Sequence, residues 1–108
     1  MNIPTLRKLV ALDDRDPLSR FALGKKLFEE ANGDTAILEE AATHLAFANE
    51  RAPDHLATYH IFARTLVQLG RCDDARAVLE RGVARVAAAG GGMGRDLGPA
   101  MDEMLRAL

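Results

Sequence analysis

Apolar residues recur three and four apart along nearly the whole chain, the period of helices that bury one face. Ile3, Leu6, Leu9 and Val10 form the first stripe, and Leu18, Phe21, Ala22, Leu23, Leu27 and Phe28 the second. Leu38, Ala41 and Leu45 follow, then Tyr59, Phe62 and Leu66, then Ala75 and Leu79, and finally Leu97, Met101, Met104, Leu105 and Leu108. Helix punctuation separates the stripes. Pro4 and Pro17 suit a first helical turn, and Asp16 suits the cap before Pro17. Ala31-Asn32-Gly33-Asp34-Thr35 has turn chemistry, Pro53-Asp54 ends one helix and caps another, and Gly70 is a stop. Asp73 or Asp74 then starts a helix that runs to about Ala88, and Asp96 caps a last one, with Pro99 in its first turn. Six helices are expected. No segment alternates with period two, so the fold class is all-α.

The chain also resembles itself. At an offset of 34 residues, Leu38, Ala41, Leu45 and Ala48 fall on Cys72, Ala75, Leu79 and Gly82. At an offset of 39, Leu23, Gly24, Lys25 and Leu27 fall on Phe62, Ala63, Arg64 and Leu66. The difference places a five-residue insertion between Phe28 and Leu38, in the turn joining the helices of the first copy. Repeats of this length built from helical stripes mark a solenoid. Tyr59-x-x-Phe62-Ala63-x-x-Leu66, Gly70 and Ala75-x-x-x-Leu79 in one copy, with Leu23-Gly24-x-x-Leu27, Ala41-x-x-x-Leu45 and Pro53 in the other, resemble the tetratricopeptide (TPR) pattern. Arg20 stands where the family prefers Trp, Ala87 where a second Pro belongs, and Gly82 where a helical Ala belongs.

The resemblance implies a right-handed superhelix of antiparallel helix pairs forming one domain. Residues 1–15 are a half-repeat helix, 17–55 repeat one, 56–89 repeat two and 95–108 a capping helix. Gly24, Ala41, Ala63 and Ala75 would sit where helices cross closely.

Composition narrows the function classes. A chain of 108 residues is a single domain that buries about two-thirds of its unfolded surface. Its formal charge of −2 argues against nucleic acid and anionic membranes as partners. No stretch approaches the ~20 apolar residues of a membrane span, and the N-terminus does not resemble a signal peptide, so a cytoplasmic protein is expected. The one cysteine, Cys72, excludes an internal disulfide, and register with Leu38 reads it as a buried thiol rather than a nucleophile at a helix start. His44, His55 and His60 lack metal-ligand spacing and read as surface or groove side chains. The run Gly90-Gly91-Gly92-Met93-Gly94 fits no phosphate-loop motif and reads as a flexible break. The acidic pairs Asp13-Asp14, Glu29-Glu30, Glu39-Glu40 and Asp73-Asp74 mostly fall at helix ends, without a convergent base, nucleophile and oxyanion set. Neither enzymatic activity nor a cofactor or metal is expected.

What remains is the groove that the family resemblance implies along the first helix of each pair. By register, Phe21, Lys25 and Phe28 face it from one copy, and His60, Arg64 and Gln68 from the other. Lys25 and Arg64 are equivalent, so two cations would flank an apolar stripe suited to a peptide carrying a carboxylate. The alternative is that Phe21 and Phe28 belong to the core. The leading expectation is a module that binds a protein or peptide. The runner-up is a self-associating unit, a homodimer built on an apolar face.

Overall fold

The computed structural model describes residues 1–90 and 92–108. Among the described residues there are six α-helices: α1 (Ile3–Leu12), α2 (Pro17–Glu30), α3 (Thr35–Arg51), α4 (Leu56–Gln68), α5 (Cys72–Ala89) and α6 (Gly92–Ala107). No strand occurs among the described residues. The all-helical reading therefore holds, and most boundaries lie within a residue or two of the positions that capping chemistry marks.

The caps show why. Asn2 Oδ1 accepts the Thr5 N–H at 2.9 Å, and Asp16 Oδ1 accepts that of Leu18 at 3.1 Å. Asp34 Oδ1 accepts the Ile37 N–H at 3.2 Å. Between α2 and α3, Asn32 and Gly33 take φ of +48° and +81° while Asp34 N–H donates to the Ala31 carbonyl at 2.9 Å. This is a turn with two left-handed central residues, which Asn-Gly enters at low cost. Gly70, at φ +77°, closes α4: its N–H donates to the Val67 carbonyl, and the next N–H, that of Arg71, reaches back to Leu66 at 2.9 Å.

Four sequence expectations need correction. His55, not the Pro53-Asp54 pair, is the N-cap of α4. The last helix starts at Gly92 rather than Asp96, so Gly92 to Gly94 are helical and Pro99 lies within the helix instead of its first turn. The expected break survives as Gly90, which caps α5 at φ +66°, while Gly91 falls outside the described residues.

Cys72 is the third correction. It is exposed. Its register partner Leu38 is only 2 % exposed, because α3 begins at Thr35 and carries Leu38 on its fourth residue. α5 begins at Cys72 itself, so that side chain sits on an open first turn. The insertion lies partly inside α3, as an extra N-terminal stretch of helix, and not wholly in the turn. A thiol reagent should accordingly modify Cys72 in native buffer nearly as fast as in denaturant. Strong native protection of the thiol would contradict its placement.

Two apolar clusters carry the fold. In one, Leu6 and Val10 of α1 meet Leu23, Leu27 and Phe28 of α2, Leu38, Ala41 and Leu45 of α3, and Ile61 of α4. In the other, Tyr59, Ala63 and Leu66 of α4 meet Ala75, Val78 and Leu79 of α5 and Met101 of α6. Phe62 packs against both, so α4 joins them. Two glycines set the closest approaches. A Cβ on Gly24 would stand 2.7 Å from Leu45 Cγ, and one on Gly82 would stand 2.8 Å from both Met101 Sδ and Tyr59 Cβ. The Gly that departs from the repeat pattern is thus where α4, α5 and α6 crowd together. The contacts Arg76–Leu108, Gly82–Met101 and Val86–Gly98 run in opposite chain directions, so α6 lies antiparallel on α5.

Candidate functional site

Each helix packs on its chain neighbour, and α2 also touches α4 while α4 touches α6. Two clefts lie between these alternate helices, and a third lies between α1 and α2. Between α2 and α4, a cleft of about 450 Å³ is floored by Phe28 and Ile61 and walled by Glu29, Arg64, Gln68 and the Asn32-Gly33 turn. Between α4 and α6, His60 and Arg64 face Ala100, Glu103 and Met104 across about 430 Å³. Between α1 and α2, Phe21, Lys25 and Glu29 share about 310 Å³ with Met1 and Leu6.

All six sequence-predicted residues line one of these clefts, but they do not share one. Phe28, Arg64 and Gln68 come together. His60 joins Arg64 on the far side of α4, whereas Phe21 and Lys25 face α1. The two cations, equivalent in sequence, therefore open into different clefts. The reason is end position: α2 is flanked by the short α1, and α4 by α2 and α6.

The two phenylalanines separate as well. Phe28 is 8 % exposed and belongs to the first apolar cluster. Its ring is the floor on which the Arg64 guanidinium lies, with Cζ 5.0 Å from the centroid, a cation–π contact. Phe21 is half-buried, packs against the same cluster, and stands edge-on to His55 with centroids 4.7 Å apart. His55 in turn places Nδ1 2.8 Å from Thr58 Oγ1. Burial, reinforced by the Arg64 charge, holds the His60 pKa below the ordinary histidine value, so its ring is neutral at pH 7.

Sequence reasoning missed the contribution of α6, treated there only as a cap. Its amphipathic spacing placed Met104 on the buried stripe, and nothing local indicated that Ala100, Glu103 and Met104 would border α4. Among the described residues no group of three His, Cys, Asp or Glu side chains gathers as a metal site would, and no helix is long and apolar enough to cross a membrane. Comparisons with protein families, curated proteins and solved structures find no match for the chain.

Proposed function

We propose that this chain is a TPR-like right-handed superhelix of helix pairs and a non-catalytic module whose inner face, formed by α2, α4 and α6, binds a segment of a protein or peptide. The observation that carries this reading is the continuity of the clefts. Arg64 belongs to two of them and Glu29 to two, so the three form one strip from Lys25 past Glu29 and Arg64 to Met104. Contacts between α2 and α4, and between α4 and α6, support the superhelical arrangement, because a solenoid of helix pairs brings its alternate helices side by side. Apolar floors with polar rims suit a chain laid across them.

The test is capture of partners by the intact protein and by a Lys25→Glu, Arg64→Glu variant. Both side chains are exposed, so the fold should persist within about 1 kcal/mol. Retention of an acidic partner should fall, and salt should weaken the parent complex more than the variant's. Unchanged capture by a folded variant would refute the strip as the binding face.

Self-association is the second reading, favoured by Leu12 at 83 % and Leu18 at 56 % exposure on either side of the α1–α2 turn. Light scattering separates the two, since a concentration-independent monomer excludes a homodimer.

A further inference from the structure

Outside the clefts, one polar chain links three helices. Arg7 of α1 grips Glu40 of α3, with its terminal nitrogen 2.8 Å from Oε1 and Nε 3.4 Å from Oε2. One helical turn further along α3, His44 Nε2 stands 3.5 Å from that same Oε2. The other ring nitrogen, Nδ1, stands 3.3 Å from a terminal nitrogen of Arg20 on α2. Arg20 has only donors, so Nδ1 must be the unprotonated acceptor and the hydrogen must sit on Nε2, toward Glu40. Arg20 is held twice more: Nε donates to the Asp14 carbonyl at 2.9 Å, and its guanidinium lies 4.4 Å over the Phe47 ring. The site normally filled by Trp in the resembled family is here the end of a hydrogen-bonded relay.

The relay has two kinds of link. Arg7–Glu40 and Arg20–His44 join different helices, whereas Glu40–His44 lies within α3. A proton on Nδ1 reverses their balance. The ring then presents an N–H and a positive charge to Arg20, which has no acceptor to offer. The same charge strengthens the ring's hold on Oε2, where it competes with Arg7. We propose that Arg7, Glu40, His44 and Arg20 form an acid-sensitive latch, in which protonation of His44 exchanges the two links between helices for one within α3 and loosens α1 and the α1–α2 turn.

The charged groups that act on His44 are Arg20 from α2, Arg7 from α1 and Glu40 from its own helix. Burial, opposed by the Glu40 hydrogen bond, holds its pKa below the ordinary value of 6.5, with Arg20 adding to the depression. The unfolded chain therefore takes up protons more readily in this range, and stability falls as pH drops below about 6.5. Glu40 works in the same direction. Burial alone would raise its carboxyl, but the Arg7 hydrogen bond and charge, with His44, hold it below its usual value. Its stabilisation is thus also lost toward acid.

Residue-resolved NMR on the full chain tests the latch. At pH 7.5 the His44 nitrogen shifts should show an Nε2–H ring, titrating below the unperturbed value, and Arg20→Gln should move that midpoint upward. Between pH 7.5 and 5.5, amide exchange in α1 and residues 13–16, corrected for intrinsic rates, should rise roughly fivefold, the equivalent of one lost hydrogen bond. Exchange in α5, remote from the relay, should change less. His44→Gln retains an oxygen that accepts from Arg20 and cannot titrate, so it should abolish the local acid response while leaving α1 protected. The latch is overturned by an Nδ1–H ring at neutral pH, by a midpoint indifferent to Arg20, or by an acid response surviving in His44→Gln. Should that variant fail to fold, the tautomer and the Arg20→Gln titration decide alone.

Discussion

Deleting residues 92–108 should convert a folded chain into one that aggregates or melts at far lower temperature. α6 covers the second apolar cluster. Met101 is fully buried, and Leu97, Met104, Leu105 and Leu108 pack partly buried beside it against Val83, Val86 and their neighbours. A fully buried Met alone contributes about 1.5–3 kcal/mol of burial. With the four flanking side chains the loss reaches several kcal/mol, a large share of the roughly 5–15 kcal/mol that stabilises a domain. The newly bared face would include Tyr59 and Gly82, the close approach that α6 occupies. The opposite face of α6 carries exposed Arg95, Asp96, Asp102 and Arg106, so the native helix turns a charged surface to water. Circular dichroism melts with light scattering check this. A truncated chain that stays monomeric with unchanged Tm would show that α6 is dispensable.

The core was legible because burial obeys the repeat. Leu23, Leu27, Leu38, Ala41, Leu45, Tyr59, Ala63, Leu66, Ala75 and Leu79 all stand in the repeat register, and all are buried. Gly24 was legible as a crossing point, since the residue matched to it, Ala63, is also small and fully buried. Register failed where helix ends differ between the copies. Cys72 matches Leu38 in sequence, yet burial near a terminus depends on how many turns precede the residue, and α5 offers none before Cys72. The start of α6 failed because local propensity misled. Glycine is a poor helix former in isolation, by roughly 1 kcal/mol per residue relative to Ala. The helix nonetheless runs from Gly92, where an added Cβ would meet nothing, so no close contact accounts for the glycine there.

What the sequence could read of the candidate site was the side of each helix, not the grouping of its residues. Register assigned Phe21, Lys25, Phe28, His60, Arg64 and Gln68 to one side of the helices, and each does line a cleft there. Which cleft each lines depends on what flanks its helix, a property of the neighbours. The His44 relay was illegible for the same reason. Its members are 7, 20, 40 and 44, spread over three helices, and only the Glu40–His44 pair has a local spacing.

Phe28→Ala should cost about 3–5 kcal/mol, the range for a buried aromatic truncated in a core. The ring is 8 % exposed and packs within the cluster that joins α1, α2 and α3 to Ile61 of α4. Its loss would open a void between α2 and α4 and withdraw the surface beneath the Arg64 guanidinium. Two effects then follow from one change: a lower unfolding free energy in urea, and an Arg64 side chain free of its cation–π contact. Phe28→Leu separates them. Leucine fills much of the volume, so most of the stability should return, while the aromatic face does not. If the proposed strip binds its partner through an Arg64 held over Phe28, Phe28→Leu should fold and still bind more weakly than the parent. Parent-like binding by Phe28→Leu would confine Phe28 to the core and leave Arg64 to act without it. A Phe28→Ala chain with parent stability would contradict the burial itself.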